Sequence, residues 1–198
     1  MKGTIVYASK YGSTEKVCRW IHEGIRNHTA EIRRITQPIT EQKEFIVLGT
    51  PIFIGKPAEE FLEFIDLYRH ELCRVPTFLF ITSWAQSTRY SDACRGFLDF
   101  ILSRMKPCSP VLTRSLSGKL IVNELKARDR NIMQRLLRRI DAQQPDFHSE
   151  SIQWSDRRSR LQCNRFGEEI DQCLSSGAFT GITKSKISST AFENESDY

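Results

Sequence analysis

Residues Tyr7 to Ile21 read YASKYGSTEKVCRWI. The stretch joins two patterns. Gly3 to Ala8 (GTIVYA) is short, apolar and rich in β-branched residues, which predicts a strand. From Thr14 to His28, apolar groups recur at Val17, Ile21 and Ile25, with Gly24 and Trp20 alongside, which is helical spacing. Between them, SKYGST carries the hydroxyls of Ser9, Ser13 and Thr14, and Gly12 lets the backbone approach a bound group closely. A strand, a tight small-residue turn and a helix make the first half of a βα unit.

Working outward, the same alternation repeats. Ala30 to Ile35, Glu44 to Gly49, Thr77 to Thr82 and Pro110 to Leu116 are predicted strands; Ala58 to Leu72 and Ser91 to Met105 are predicted helices. EFIVLG and TFLFIT are near-continuous apolar runs, as expected for strands buried on both faces of a parallel sheet. Alternation also calls for a helix between the second and third strands, although no periodic stretch marks one. The order implies an α/β fold, a doubly wound five-stranded parallel sheet with right-handed crossovers. Ligands of such sheets bind beyond the carboxyl ends of the strands. Three loops leave those ends: Ser9 to Thr14, Thr50 to Lys56, and Ser83 to Tyr90.

The first loop has two chemical readings. Backbone N–H groups at a helix start, with hydroxyls beside them, attract a compact anion such as a phosphate. The same residues also serve as an ordinary helix cap, and the turn alone does not choose. No GxxxxGK[ST] occurs, and Gly12 is the single glycine of the turn, so nucleoside triphosphates and dinucleotides are disfavoured. The second loop carries Phe53 and Gly55, and the third carries Trp84 and Tyr90. Aromatics at adjacent strand ends can flank a flat ring, and backbone amides can meet its polar edge. Together the three loops favour a flat cofactor bearing a phosphate.

The chain has 198 residues and a formal charge of +5, with basic residues concentrated in Lys126 to Arg139 and Arg157 to Arg165. Those stretches lack aromatic interleaving, so nucleic acid is not an expected partner. No apolar run of about 18 residues predicts a membrane span, and MKGTIVYAS turns strand-like too early for a signal peptide. A cytoplasmic protein is expected. The six cysteines form no CxxC pair and show no zinc spacing, so reduced, buried thiols are expected. His22, His28, His70 and His148 are scattered, and no nucleophilic or metal constellation is predicted.

After Gly118 the pattern changes. GKLIVNELKARDRNIMQRLLRRI is an extended piece followed by a basic amphipathic helix, with Ile132, Met133, Leu136, Leu137 and Ile140 on its apolar stripe. A last helix is predicted from about Ser159 to Leu174, and the polar chain from Gly177 onward is expected to be disordered. This divides the chain into a domain over 1–176, an insertion over 119–156 within it, and a tail over 177–198.

The loops resemble those of the flavodoxin-like family, whose first-loop pattern of hydroxyl, aromatic or threonine, glycine and threonine binds the phosphate of FMN. The resemblance implies FMN as cofactor. It places Ser9, Lys10, Tyr11, Gly12, Ser13 and Thr14 at the phosphate, Thr50, Pro51, Ile52, Phe53, Ile54 and Gly55 in the second flavin loop, and Ser83, Trp84, Ala85, Gln86 and Tyr90 in the third. The segment after Gly118 resembles the long connection of the quinone-dependent protoporphyrinogen oxidases of this family. The shared pattern is Gly-Lys-Leu, then Asp129-Arg130 opening an Ile/Met/Leu helix. That resemblance implies an FMN-dependent oxidoreductase passing electrons to a quinone, with peripheral membrane contact through residues 126–142. The alternative is a flavodoxin-type electron carrier, although soluble carriers of the family are acidic and this chain is basic. The flavin would carry the chemistry, and no oligomeric state is implied.

Overall fold

The computed structural model describes residues 1–37, 43–87, 90–143 and 154–179. Five strands form one parallel sheet: β1 (Lys2–Tyr7), β2 (Thr29–Arg34), β3 (Phe45–Phe53), β5 (Thr77–Ser83) and β6 (Leu112–Ser117), in the spatial order β2-β1-β3-β5-β6. A two-residue strand, β4 (Lys56–Pro57), folds back antiparallel on the end of β3. This is the doubly wound sheet expected from the alternation. β5 is buried along its whole length, and β3 from Phe45 to Thr50, because helices cover both faces; β2, at the edge, alternates between exposed and half-buried.

On one face lie α1 (Ser13–Gly24) and α6 (Arg160–Ser176). Val17, Cys18 and Ile21 pack there with Phe45, Phe78, Phe80, Phe166 and Ile170. On the other face lie α2 (Glu59–Leu67), α3 (Arg69–Arg74) and α4 (Asp92–Met105), around Phe61, Ile65, Leu79, Ile81 and Ile101. Five phenylalanines are essentially inaccessible to water. Burying each contributes about 1.5–3 kcal/mol, which makes the two apolar layers the main source of stability.

Three features differ from the sequence reading. The helix expected over 58–72 is two helices, because the backbone turns at Tyr68, whose ring packs 4.5 Å from that of Phe64. Among the described residues no helix joins β2 to β3, and residues 38–42 of that connection lie outside them. Cys73 and Cys108, expected as reduced thiols, form a disulfide across the α3 and post-α4 segments. Cys18, Cys94, Cys163 and Cys173 are free.

The region after Gly118 is more ordered than an extended piece and a helix. A short antiparallel pair, β7 (Lys119–Ile121) with β8 (Trp154–Asp156), forms a neck. Above it, a 3-10 turn over Val122–Glu124 leads to α5 (Ala127–Gln143). Gly118 N–H donates to the Ser83 carbonyl (2.9 Å), which ties the neck to the end of β5, and Arg157 N–H donates to the Gly118 carbonyl (3.3 Å), which joins the two sides of the neck. Residues 144–153 of the insertion and 180–198 of the polar tail lie outside the described residues. Among the described residues, no helix is long and apolar enough to cross a membrane.

Candidate functional site

The three loops meet where the sheet topology requires, beyond the carboxyl ends of β1, β3 and β5. The cavity there is lined by Ser9, Lys10, Tyr11, Ser13 and Thr14 from the first loop, Pro51 to Phe53 from the second, and Thr82 and Trp84 from the third. Its remaining wall is the insertion: Gly118 to Ile121, Glu124, Leu125 and Met133.

In the first loop, no hydroxyl caps the helix. The residue that caps α1 is Gly12, held in the left-handed region at φ 75°, and no side chain caps the helix. Glycine reaches that conformation without a Cβ penalty. The N–H groups of the first turn therefore have no side-chain acceptor. Ser9 is buried, and its Oγ has no hydrogen-bond partner. A hydroxyl buried without a partner costs about 1–3 kcal/mol. A ligand or a water at this position would meet that cost. Thr14, also buried, spends its hydroxyl on Thr82 (3.0 Å).

The polar end thus fits a phosphate, but the space beyond it is small. The volume that water can enter is about 60 Å³. Cavities that hold cofactor-sized molecules run to roughly 300–1,000 Å³. The missing room is taken by the insertion. Leu120, Val122, Leu125, Met133 and Leu137 form a third apolar cluster, and Tyr11, Phe53, Ile54 and Trp84 pack against it. The Tyr11 and Phe53 rings are 5.9 Å apart at their centroids.

The polar contacts of the insertion fall on the same loops. Lys119 N–H donates to Ser13 Oγ (3.3 Å). Tyr11 Oη donates a short hydrogen bond to Asp129 Oδ2 and accepts from Lys126 N–H (3.3 Å). Lys10 Nζ lies 2.6 Å from the same Asp129 oxygen and 4.6 Å from the centre of the Phe53 ring. These contacts to Lys10 and then Tyr11 hold the Asp129 carboxyl below the usual carboxylate range. The Tyr11 phenol is pushed up, first by burial and then by its bond to Asp129.

Other residues expected at the site sit elsewhere. Thr50 is buried and accepts from Ala58 N–H (3.2 Å), so it ties β3 to the start of α2. Ile54, at φ 52°, and Gly55, at φ 73°, form the turn into β4. A β-branched residue in that region stores about 1–3 kcal/mol of strain. Ile54 lines an outer cleft with Lys56, Lys126 and Arg128. Ser83 Oγ accepts from Ala85 N–H (3.2 Å), and Ala85 belongs to the core. Gln86 faces a separate hollow between α4 and β6. Tyr90 packs edge-on against Trp84, 6.4 Å between centroids. Residues 88 and 89 of the third loop lie outside the described residues.

The sequence reading did not place Thr82, Gly118, Leu125 or Met133 at the cavity, nor Asp129 against its first loop. Asp129 had a signal, an acidic residue in the first turn of a basic helix; nothing local ties it to Lys10 and Tyr11.

Residues 4–148 match the family described as flavodoxin domain. A flavodoxin of Clostridium saccharobutylicum is 31% identical over 72 residues, 33% of this chain and 45% of that protein. The chain therefore aligns with less than half the length of this curated relative. The two-electron reduced flavodoxin of Megasphaera elsdenii superposes with a TM-score of 0.50 at 18% identity, covering 86% of this chain and 98% of that one. A flavodoxin from the domain Archaea does so with a TM-score of 0.52 at 16% identity, covering 88% of this chain and 99% of that one. Nothing in these matches is specific to protoporphyrinogen oxidases.

Proposed function

This chain belongs to the flavodoxin domain family, and from that premise we propose that it binds FMN and carries electrons between redox partners. The observation that carries the reading is the first loop: a helix start with no side-chain cap beside a buried, unpartnered Ser9 hydroxyl. Ser9 Oγ and the first-turn N–H groups of α1 would hold the phosphate. Phe53 and Trp84, from the second and third loops, would meet the ring once the insertion has withdrawn. Bound FMN supplies the electron-transfer chemistry, and the chain supplies binding, orientation and electrostatics. Lys10, paired with Asp129, lines the mouth of the cavity.

The partner surface is basic. Arg128, Ile132, Arg135 and Arg139 are exposed along one side of α5, with Arg138 beside them. Arg130 is not part of that stripe, since it donates to the carbonyls of Asn123 (3.3 Å) and Leu125 (3.0 Å). Such a stripe favours an acidic redox partner through steering and complementarity. An oxidase of protoporphyrinogen type, meeting a quinone at the membrane surface through residues 126–142, is the finer reading of the same insertion.

Reconstitution with FMN tests the cofactor. Flavin absorbance that co-elutes with the protein is expected, and Ser9→Ala should weaken FMN binding roughly tenfold, the loss of one hydrogen bond to a charged group. No bound flavin at excess FMN overturns the reading. Electron transfer between a reductase and an acceptor, without porphyrinogen oxidation, separates the carrier from the oxidase.

A further inference from the structure

The insertion does more than border the cavity: its contacts are those a ligand would need. Among the described residues, the polar bonds it makes to the first loop use Lys10, Tyr11 and Ser13, all of the cradle. Its apolar residues cover Phe53 and Trp84. Asp129, buried, brings a carboxylate to Lys10 and to the Tyr11 hydroxyl, so the chain places its own anion at the edge of a site suited to an anion.

The attachment of this segment suits movement as a unit. Its two ends leave the sheet together at the β7–β8 neck. Gly118 holds the neck to the domain through a backbone bond to Ser83 that does not involve α5, and Arg157 bonds back to Gly118. Beyond the neck, the segment packs as a separate apolar cluster, distinct from the two layers that stabilise the sheet. It can therefore part from the loops without opening the core.

We propose that residues 122–143 are a self-occluding lid and that Asp129 is its latch. Closed, the lid fills the ring end of the cavity and neutralises Lys10. An incoming anionic cofactor would occupy the first loop and the ring end that the lid and Asp129 now cover, so lid closure and cofactor binding oppose each other. The apparent affinity is the intrinsic affinity reduced by the fraction of molecules with the lid open. The idea rests on the cofactor reading above for its ligand, but the lid itself is testable without one.

The experiment compares the wild-type chain with Asp129→Ala by FMN titration and, without FMN, by trypsin cleavage within α5, which offers Arg128, Arg135, Arg138 and Arg139. Removing the latch deletes a charge-assisted hydrogen bond and an ion pair, so FMN should bind about tenfold tighter and α5 be cut about tenfold faster. Met133→Ala, which thins the lid packing, should move both readouts in the same direction. Faster cleavage of α5 with no FMN bound to any variant upholds the lid and overturns the cofactor reading. Unchanged cleavage and unchanged FMN affinity in both variants overturn the lid. So does weaker FMN binding in Asp129→Ala, which would make Asp129 part of the bound state.

Discussion

Replacing Gly167 with alanine measures how tightly the helix that starts at the cradle is clamped. A Cβ on Gly167 of α6 would lie 2.1 Å from the Ile21 carbonyl oxygen, 2.9 Å from Gly24 Cα and 3.1 Å from the Ile21 carbonyl carbon. All three are backbone atoms of α1, so no rotamer change relieves the contact. Ordinary contact begins near 3.4 Å, so the helices must separate by roughly an ångström, a gap that forfeits about a quarter to a half of each dispersion well along the seam. Val17, Cys18 and Ile21 would then lose contact with Cys163, Phe166 and Ile170. The shift is resisted at the end of α1 by Asp171, which accepts from the N–H groups of Arg26 (3.2 Å) and Asn27 (2.9 Å) and from the Asn27 amide (2.6 Å). Overpacking of this kind costs about 1–3 kcal/mol, and the resistance of Asp171 puts this site at the upper end. Better helix propensity offsets about 1 kcal/mol of that. The expected net loss is about 2 kcal/mol, a fall in Tm of roughly 4–8 °C for a chain of this size. Urea denaturation followed by circular dichroism should show a lower midpoint at unchanged slope. Gly96 of α4 is the control, since its Cβ would meet nothing within 4 Å, and Gly96→Ala should be neutral or stabilising. If Gly167→Ala is as stable as wild type, the close crossing of α1 and α6 is refuted.

Two further outcomes follow from the titrating groups. The Asp129 carboxyl is held low by Lys10 and Tyr11. A depressed carboxyl contributes stability that is fully present above the ordinary carboxylate value, about 3.9, and is lost as pH falls through its lower folded value. The stability difference between wild type and Asp129→Ala should therefore be constant at neutral pH and vanish in acid; a difference that persists unchanged in acid would remove Asp129 from the latch. Burial pushes the Cys163 thiol up to about 12 and raises the Cys18 thiol as well. Iodoacetamide at pH 8 should leave both unlabelled in the native protein and label them on unfolding, and mass mapping of the alkylated peptides checks this.

Much of the fold was legible because burial writes directly into sequence. β3 and β5 are covered on both faces and must be apolar throughout, so EFIVLG and TFLFIT announce themselves. β7 and β8, three residues each, are too short to carry a period. Tyr68 ends α2 and begins α3 without a glycine or proline to mark the break. In the site, the positions of Ser9, Pro51 to Phe53 and Trp84 follow from strand ends alone. Thr50 and Ala85 sit at the same strand ends but turn inward, and the alternation of side chains within a loop cannot be read from its composition.

The sequence by itself determined the strand order's raw material, the three convergent loops and the anion-friendly chemistry of the first one, since each depends on residues within a few positions of one another. The tertiary structure alone decided that Gly12, rather than a hydroxyl, caps α1 and that Ser9 is left without a partner. It alone brought Asp129 across 118 positions of sequence to Tyr11 and laid a third apolar cluster over the cavity. Local patterns are set by the backbone's short periods. A contact between distant segments is set by how the neck aims α5 at the sheet, and that direction is a property of the folded chain.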